Sequence, residues 1–236
     1  MGELAVRLDA VGRSFGPVDA LLPLDVHVPA GTVLGIIGHN GSGKSTLLQL
    51  IAGRLRPSQG RIEVDGVDLA TPAGREHARR WVAVGGTIGA FYPDLTVAEH
   101  LQLVAIAHDA GDIDARVEEQ LERAGLTARR DALTGQLSTG MRQKLDLALA
   151  SIRPFRVLLL DEPDRGLDPA ARQRVWDDVA TQRAAGRTIL VATHQPAGLE
   201  ELFDRVLLLE SGEVLASGTL AEVRSTEAAR RLGLGG

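Results

Sequence analysis

The chain has 236 residues, a net charge of −5 and no cysteine. Its length suits one fairly large domain, and the lack of cysteine excludes disulfides, thiolate zinc sites and thiol catalysis. The acidic balance, without a run of Lys or Arg, predicts no nucleic-acid partner. No apolar run approaches the roughly 20 residues that span a bilayer, and the N-terminus lacks a secretory signal pattern. We therefore expect a soluble chain that meets a membrane only through a protein partner.

Short β-branched and Leu-rich runs, each bounded by Gly, Pro or Asp, predict strands. They cover Leu4 to Val11, Val33 to Ile37, Arg61 to Val64, Trp81 to Val84, Val157 to Leu160, Thr188 to Thr193 and Val206 to Leu209. Helical patterns are found at Ser45 to Ala52, Val97 to Ala107, Asp114 to Ala124, Arg142 to Ser151, Pro169 to Ala184 and Pro196 to Phe203. Some strands are apolar at every position, which is typical of a sheet covered on both faces. The predicted fold class is α/β.

The region from about Thr96 to Ser151 differs from the rest, because two or three helical patterns follow one another without a convincing strand. It predicts a helical subdomain, at about residues 93–151, inserted into a sheet core formed by residues 1–92 and 152–219. The tail at 220–236 mixes charged and small residues and is predicted to form a surface helix. We expect all these parts to form one domain.

A glycine-rich loop follows the strand Val33 to Ile37 and opens a Leu-rich helix. It reads Gly38-His39-Asn40-Gly41-Ser42-Gly43-Lys44-Ser45-Thr46, which is the pattern of a phosphate-binding P-loop. Glycines allow backbone N–H groups to turn towards phosphate oxygens, and the helix adds the positive end of its dipole. Lys44 is predicted to bridge the β- and γ-phosphates, and Ser45 to ligate Mg²⁺. The alternative is a plain glycine-rich turn, but in this composition chance gives the motif about twice in a thousand chains.

Two carboxylates, Asp161 and Glu162, end the apolar strand Val157 to Leu160. Ligands of open α/β sheets sit beyond the carboxyl ends of the strands, so both acids are expected beside the nucleotide. Neighbouring side chains of an extended chain point apart, which allows two separate roles. Asp161 is predicted to hold Mg²⁺ through water, and Glu162 to polarise the attacking water. Taken alone, Asp-Glu-Pro is also an ordinary junction between strand and loop.

Together these motifs resemble the nucleotide-binding domain of the ABC family over almost the whole chain. A stretch upstream of the acidic strand is similar to the family's signature sequence: Leu137-Ser138-Thr139-Gly140-Met141-Arg142-Gln143. The resemblance implies a P-loop NTPase sheet core with an N-terminal antiparallel β region and an inserted helical subdomain. It also implies that residues 138–141 reach the ATP of a second ATP-binding domain, in a homodimer or a heterodimer.

Three further residues match positions of the family. Asp168 resembles the D-loop residue that links the two sites of the dimer. His194, at the end of a predicted strand, resembles the switch histidine that contacts the γ-phosphate. Phe15 matches the aromatic residue that stacks on adenine. Taken alone, a histidine at a strand end and an early phenylalanine are more often structural.

The sequence departs from the family in two places. The family places a glutamine between the ATP core and the helical subdomain, and this chain has none between Gln59 and Gln102. Thr87 aligns with that position, and its side chain cannot reach as far. The signature has Thr139 and Met141 where its commonest form has Gly and Gln, a variant that resembles exporters of drugs, lipids or polysaccharides.

The resemblance implies an ATPase, using ATP and Mg²⁺, that drives transport through separate transmembrane permease subunits. The direction implied by the signature variant is export, and the place implied is cytoplasmic, peripheral on the inner face of the cell membrane. The alternative is a soluble ABC ATPase acting on ribosomes or DNA. Such relatives usually carry two ATP domains, a long coiled coil or zinc-binding cysteines, and this sequence has none. A P-loop kinase is the third reading, but it would have no use for the signature.

Overall fold

The computed structural model describes residues 3–86, 91–196 and 198–231. Its strands are β1 Leu4–Phe15, β2 Val18–Pro29, β3 Val33–Ile37, β4 Gln59–Val64, β5 Val67–Asp68, β6 Val82–Gly85, β7 Val157–Asp161, β8 Thr188–Thr193, β9 Arg205–Glu210 and β10 Glu213–Gly218. Its helices are α1 Lys44–Ile51, α2 Pro72–Trp81, α3 Val97–Ala107, α4 Ile113–Ala124, α5 Thr139–Ser151, α6 Pro169–Ala184, α7 Leu220–Arg224 and α8 Glu227–Arg231. Within the described ranges, no helix has the length and apolar character needed to cross a membrane.

The strands form two sheets. The larger one has the order β10-β9-β3-β8-β7-β6, with β10 antiparallel to its neighbour and the others parallel. The smaller one is antiparallel, with the order β2-β1-β4-β5. The predicted α/β class with an N-terminal antiparallel β region is therefore confirmed. β3, which leads into the glycine-rich loop, lies inside the larger sheet between β8 and β9.

Alternate residues of the parallel strands enter two different apolar cores. On β7, Val157 and Leu159 pack towards α1 and the antiparallel sheet. Leu158 and Leu160 pack on the opposite face, where α6 contributes Trp176. Because both faces are covered, every position of β7 is buried, which explains the unbroken apolar run in its sequence. Each fully buried leucine contributes about 1.5–3 kcal/mol, so the strand is firmly held under the residues that follow it.

A third apolar core lies between α3, α4 and α5 and includes Leu101, Leu121 and Leu145. Side-chain caps begin these helices: Thr96 accepts from the backbone N–H of Glu99, and Asp112 from that of Ala115. α5 starts at Thr139, three residues before the predicted start, because the Ser138 hydroxyl caps the helix. Residues 139–141 of the signature segment therefore lie in the first turn of α5, and Ser138 caps that turn.

Other elements differ from the prediction. The helix expected over Pro196 to Phe203 is wrong: among the described residues only the 3-10 turn Glu200–Leu202 forms, and Gly198 adopts a positive φ of 82°. α2 was not predicted, although Thr71 and Pro72 supply the capping residue and the first-turn proline of a helix start. The tail forms the two helices α7 and α8, and its remaining residues, 232–236, lie outside the described ranges.

Candidate nucleotide-binding site

A cleft of about 960 Å³ opens at the carboxyl ends of the parallel strands. It gathers the glycine-rich loop, the two acids at the end of β7, two residues of the signature stretch and parts of the β1–β2 hairpin. Its lining consists of Val18, Asp19, Ala20, Asn40, Gly41, Gly43, Lys44, Ser45, Thr46, Gly86, Thr139, Gln143, Asp161, Glu162, Arg165, Gly166 and Ser211. Residues that are far apart in the sequence thus meet at one edge of the sheet, where open α/β sheets bind ligands.

The glycine-rich loop leaves the first turn of α1 free for an anion. Gly43 precedes the helix with a positive φ of 104°, and no side chain caps the helix start. The first N–H groups of a helix lack partners within the helix, and the helix dipole is positive there. Ser45 and Thr46 also line the cleft at this end. The arrangement fits phosphate oxygens of a nucleotide.

Lys44 is folded back into the loop that carries it. Its Nζ donates hydrogen bonds to the carbonyl oxygens of Gly38 at 2.8 Å and of His39 at 3.0 Å. The side chain is 5% exposed, and burial lowers its pKa, while the charges of Glu162 and Asp161 oppose that shift. Glu162 Oε1 is 3.8 Å from the ammonium group. The ammonium group of Lys44 is therefore held in place at the floor of the cleft.

The two acids take different positions after β7. Asp161 is the last residue of the strand and is 8% exposed. Glu162 turns out of it with a positive φ of 50°, and its N–H donates to the carbonyl of Ala192 at 2.9 Å. Its Oε2 contacts Nδ1 of His194, the residue directly after β8. Its Oε1 is buried without a hydrogen-bond partner in the described structure, which leaves an acceptor beside the cleft.

Gly140 of the signature lies against Gly166, two residues before the D-loop residue Asp168. Ser138 caps α5, accepting from the N–H of Met141 at 3.3 Å, and Thr139 lines the cleft. A Cβ added to Gly140 would lie 3.3 Å from the Gly166 carbonyl oxygen. Asp168 caps α6, accepting from the N–H of Ala171 at 2.9 Å, and this bond lowers the pKa of its carboxyl group.

The remaining predicted residues lie at varying distances from the cleft. Phe15 ends β1 opposite Val18, which lines the cleft; its ring is 46% exposed, with the Arg13 guanidinium 4.3 Å from the ring centre. Gly38, His39 and Ser42 belong to the loop but are not among the lining residues. Thr87 lies outside the described residues.

Several cleft residues were missed by the sequence prediction, above all Gln143, Gly86 and Arg165. Gln143 could have been found, because it ends the signature stretch one helical turn after Thr139 and therefore lies on the same side of α5 as Thr139 and Gly140. No comparable signal marks Gly86, which is one of 27 glycines in the chain.

Comparisons with known proteins agree with this geometry. A family profile described as ABC transporter matches residues 21–165. The daunorubicin resistance ATP-binding protein DrrA3 of Streptomyces coeruleorubidus is 36% identical over 234 residues, 98% of this chain and 73% of that protein. The Nod factor export ATP-binding protein I of Paraburkholderia xenovorans is 34% identical over 229 residues, 96% of this chain and 75% of that protein.

A solved structure described as the ATP binding subunit of an ABC transporter has the same fold. It superposes with a TM-score of 0.86 at 31% identity, covering 98% of this chain and 95% of that one. The family resemblance drawn from the motifs is thereby confirmed. The chain belongs to the ABC transporter family, as an ATP-hydrolysing subunit of a membrane transporter.

Proposed function

We propose that this chain drives export of a substrate across a membrane, by closing on ATP with a second ATP-binding domain and reopening after hydrolysis. The observation that carries the proposal is the meeting of Lys44, Asp161 and Glu162 in one cleft with the uncapped start of α1. Motion of such domains can be passed to membrane subunits that open alternately to each side.

The proposed roles follow from the positions of the side chains. Residues 38–46 cradle the phosphates, and Lys44 exchanges its two carbonyl partners for β- and γ-phosphate oxygens. Glu162 orients the attacking water through Oε1, the oxygen without a hydrogen-bond partner. His194, already in contact with Glu162 Oε2, is placed to respond to the γ-phosphate. Phe15 offers its exposed ring to the adenine.

The donor set fits Mg²⁺ bound together with a nucleotide. Ser45 and Asp161 supply oxygen ligands in the same cleft as Lys44. Among the described residues no group of three or more His, Cys, Asp or Glu could hold a metal alone. This suits Mg²⁺, which keeps several waters and is completed by substrate phosphates. When bound, the ion neutralises charge on the phosphates; Ser45 would hold it directly and Asp161 through water.

The assembly that we propose has two ATP-binding domains and separate transmembrane permease subunits. Residues 138–141 of one domain face the ATP of the other, and Asp168 links the two sites. Within each domain, residues 1–92 and 152–219 form the ATP core, 93–151 the helical subdomain and 220–236 the tail. The chain then lies in the cytoplasm on the inner face of the membrane. Export is supported by two similar proteins, which are named for drug resistance and for Nod factor export.

Co-purification tests this assembly. The chain is tagged, native membranes are solubilised in mild detergent, and bound proteins are identified by mass spectrometry. We expect a multi-span membrane protein in near-stoichiometric amount, with recovery abolished when the membranes are omitted. If the chain is recovered only with ribosomal or DNA-processing proteins, the proposed transporter is wrong and the alternative, a soluble ABC ATPase, takes its place. Vesicles carrying the purified complex then give the direction, from the side on which substrate accumulates when ATP is added outside.

A further inference from the structure

Gly86, the first residue after β6, packs directly against the backbone of Asp161 at the end of β7. Gly86 has a positive φ of 96°. A Cβ on this residue would collide with the backbone oxygen of Asp161 and lie 2.8 Å from its nitrogen. Only glycine fits this close approach without displacing the backbone. Gly86 immediately precedes Thr87, which stands where the family has its glutamine.

Helix α5 holds both polar groups of Gly86. Its N–H donates to Asp146 Oδ2 at 2.6 Å, and its carbonyl oxygen accepts from Gln143 Nε2 at 3.2 Å. Gln143 and Asp146 are three residues apart and so share one face of the helix. Both are buried, at 2% and 8% exposure, where a broken hydrogen bond costs more than at the surface.

Gln143 also bonds to the residue that follows the acidic pair Asp161 and Glu162. Gln143 Nε2 donates a second hydrogen bond, at 3.2 Å, to the carbonyl oxygen of Pro163. Pro163 directly follows Glu162, while Gly86 lies against Asp161. One side chain of α5 is therefore bonded both to Gly86, which packs against the Asp161 backbone, and to Pro163, which follows Glu162.

We propose that Gln143 and Asp146 are positioning residues that couple the signature helix to the catalytic acids. The inference rests on the proposed function, because it assumes that Ser138 meets ATP across a dimer and that Glu162 orients water. α5 begins directly after its cap Ser138. Its Gln143 is hydrogen-bonded to Gly86 and Pro163, and its Asp146, about one turn further on, to Gly86. A shift of α5 when the dimer closes is thus passed to the backbone that carries Asp161 and Glu162. In this chain the link is made by α5 and does not need the family's glutamine.

Substitutions that remove the hydrogen bonds but keep the volume test the proposal. Gln143→Met removes the donor, and Asp146→Leu removes the acceptor. Asp146→Asn keeps an oxygen that can accept from Gly86. The matched controls are Gln173→Met and Asp177→Leu on α6, an exposed pair joined at 2.9 Å. For each variant of the full chain, the kcat and KM of ATP hydrolysis, the Kd for ATP and the melting temperature are measured.

We expect kcat to fall about tenfold or more in Gln143→Met and Asp146→Leu, since small displacements of catalytic groups are costly. The Kd for ATP should stay within about twofold, because the phosphate loop is untouched. Asp146→Asn should recover most of the lost kcat, and the two controls should match the unaltered chain. In a Glu162→Gln background, Gln143→Met should also weaken the ATP-induced dimer.

Two results would overturn the coupling role. One is a kcat equal to that of the controls; the other is a parallel loss of kcat, ATP affinity and melting temperature, which a purely structural role would give. Either result leaves the proposed function intact if the unaltered chain hydrolyses ATP and Glu162→Gln does not. Undiminished hydrolysis in Glu162→Gln would instead contradict the proposed function itself.

Discussion

At the scale of single residues, the environment of Glu162 separates binding from turnover. Its Oε1 is buried without a hydrogen-bond partner, 3.8 Å from Lys44 Nζ, and its Oε2 contacts His194. Glu162→Gln keeps the size of the side chain but removes the charge that polarises water. We expect ATP binding to persist while hydrolysis falls by about a hundredfold or more, with an ATP-bound dimer accumulating. Single-turnover hydrolysis and light scattering measure the two effects, and the control is Glu213→Gln, an exposed residue of β10 that does not line the cleft.

Whereas Glu162 is expected to affect hydrolysis and not ATP binding, Lys44 is expected to affect ATP binding itself. Its ammonium group is held by two loop carbonyls at the floor of the cleft. Lys44→Ala removes the only cation that the loop offers to the phosphates, so we expect the Kd for ATP to rise at least about tenfold. Titration with a fluorescent ATP analogue measures it, beside Lys144→Ala, the same change at the other lysine. Unchanged affinity in Lys44→Ala would refute the phosphate-loop role.

The sequence predicts which residues lie close together where a motif fixes both residue types and spacing. The residues from Asn40 to Thr46 and the pair Asp161 and Glu162 were placed at one sheet edge because strands end there. It could not predict the positive φ of Glu162 or the contacts of Gln143. Both depend on tertiary packing: α5 reaches Gly86 across a gap of 57 residues in sequence, which no local pattern records.

At the scale of elements, α2 reverses the usual effect of a glycine-to-alanine change. Gly74 lies in the first turn of α2, and a Cβ there would collide with the carbonyl oxygen of Asp68. Alanine normally stabilises a helix relative to glycine. Here we expect Gly74→Ala to destabilise the fold by about 1–3 kcal/mol, because the backbone must move. Urea denaturation measures this; Gly135→Ala, where the added methyl enters open space, is the control. A more stable Gly74→Ala variant would contradict the packing of α2 on Asp68.

The cap of α3 makes part of the stability depend on pH. The hydrogen bond from the Thr96 N–H holds the pKa of Glu99 below its usual value. A carboxyl whose pKa is lower in the folded state stabilises above its unfolded pKa and loses that effect as pH falls through the folded one. We expect Glu99→Gln to narrow the stability difference between neutral pH and about pH 4. Thermal melts at both pH values test it, with Glu213→Gln as the control.

Thr96→Ala removes the hydroxyl group that caps α3. We expect this change to lower the free energy of unfolding by about 1 kcal/mol at neutral pH.

The bounds of a strand could be predicted from the sequence where all of its residues are buried. β3 and β8 were predicted with their observed bounds, since both are apolar runs buried on both faces. β2 was missed, although its buried residues alternate with exposed polar ones such as Asp25 and His27, the pattern of a half-buried strand. The helix predicted after Pro196 failed because spaced apolar residues there also suit a loop packed on the core through Leu199 and Phe203.

At the scale of the whole molecule, one chain holds only part of each proposed ATP site. If Ser138 serves the partner's nucleotide, Lys44→Ala and Ser138→Arg damage opposite halves of a site. Each variant alone should be inactive. An equal mixture should recover about a quarter of normal activity, since half of the dimers are mixed and each has one intact site. ATPase assays on the mixture measure this, and a mixture of Lys44→Ala with the unaltered chain shows the effect of a partner whose signature is intact. No recovery in the first mixture would indicate that Ser138 acts within its own chain.

The strand order has a further consequence for how the protein is made. β3, the strand under the phosphate loop, pairs with β8 and β9, whose partner residues Ile189 and Arg205 come more than 150 positions later. During synthesis the hairpin of β1 and β2 can close early, and α3 to α5 can pack on one another before the large sheet exists. The phosphate loop gains its rigid base only when nearly the whole chain has left the ribosome. A chain that stops before β8 would therefore carry the nucleotide-binding motif without the ability to use it.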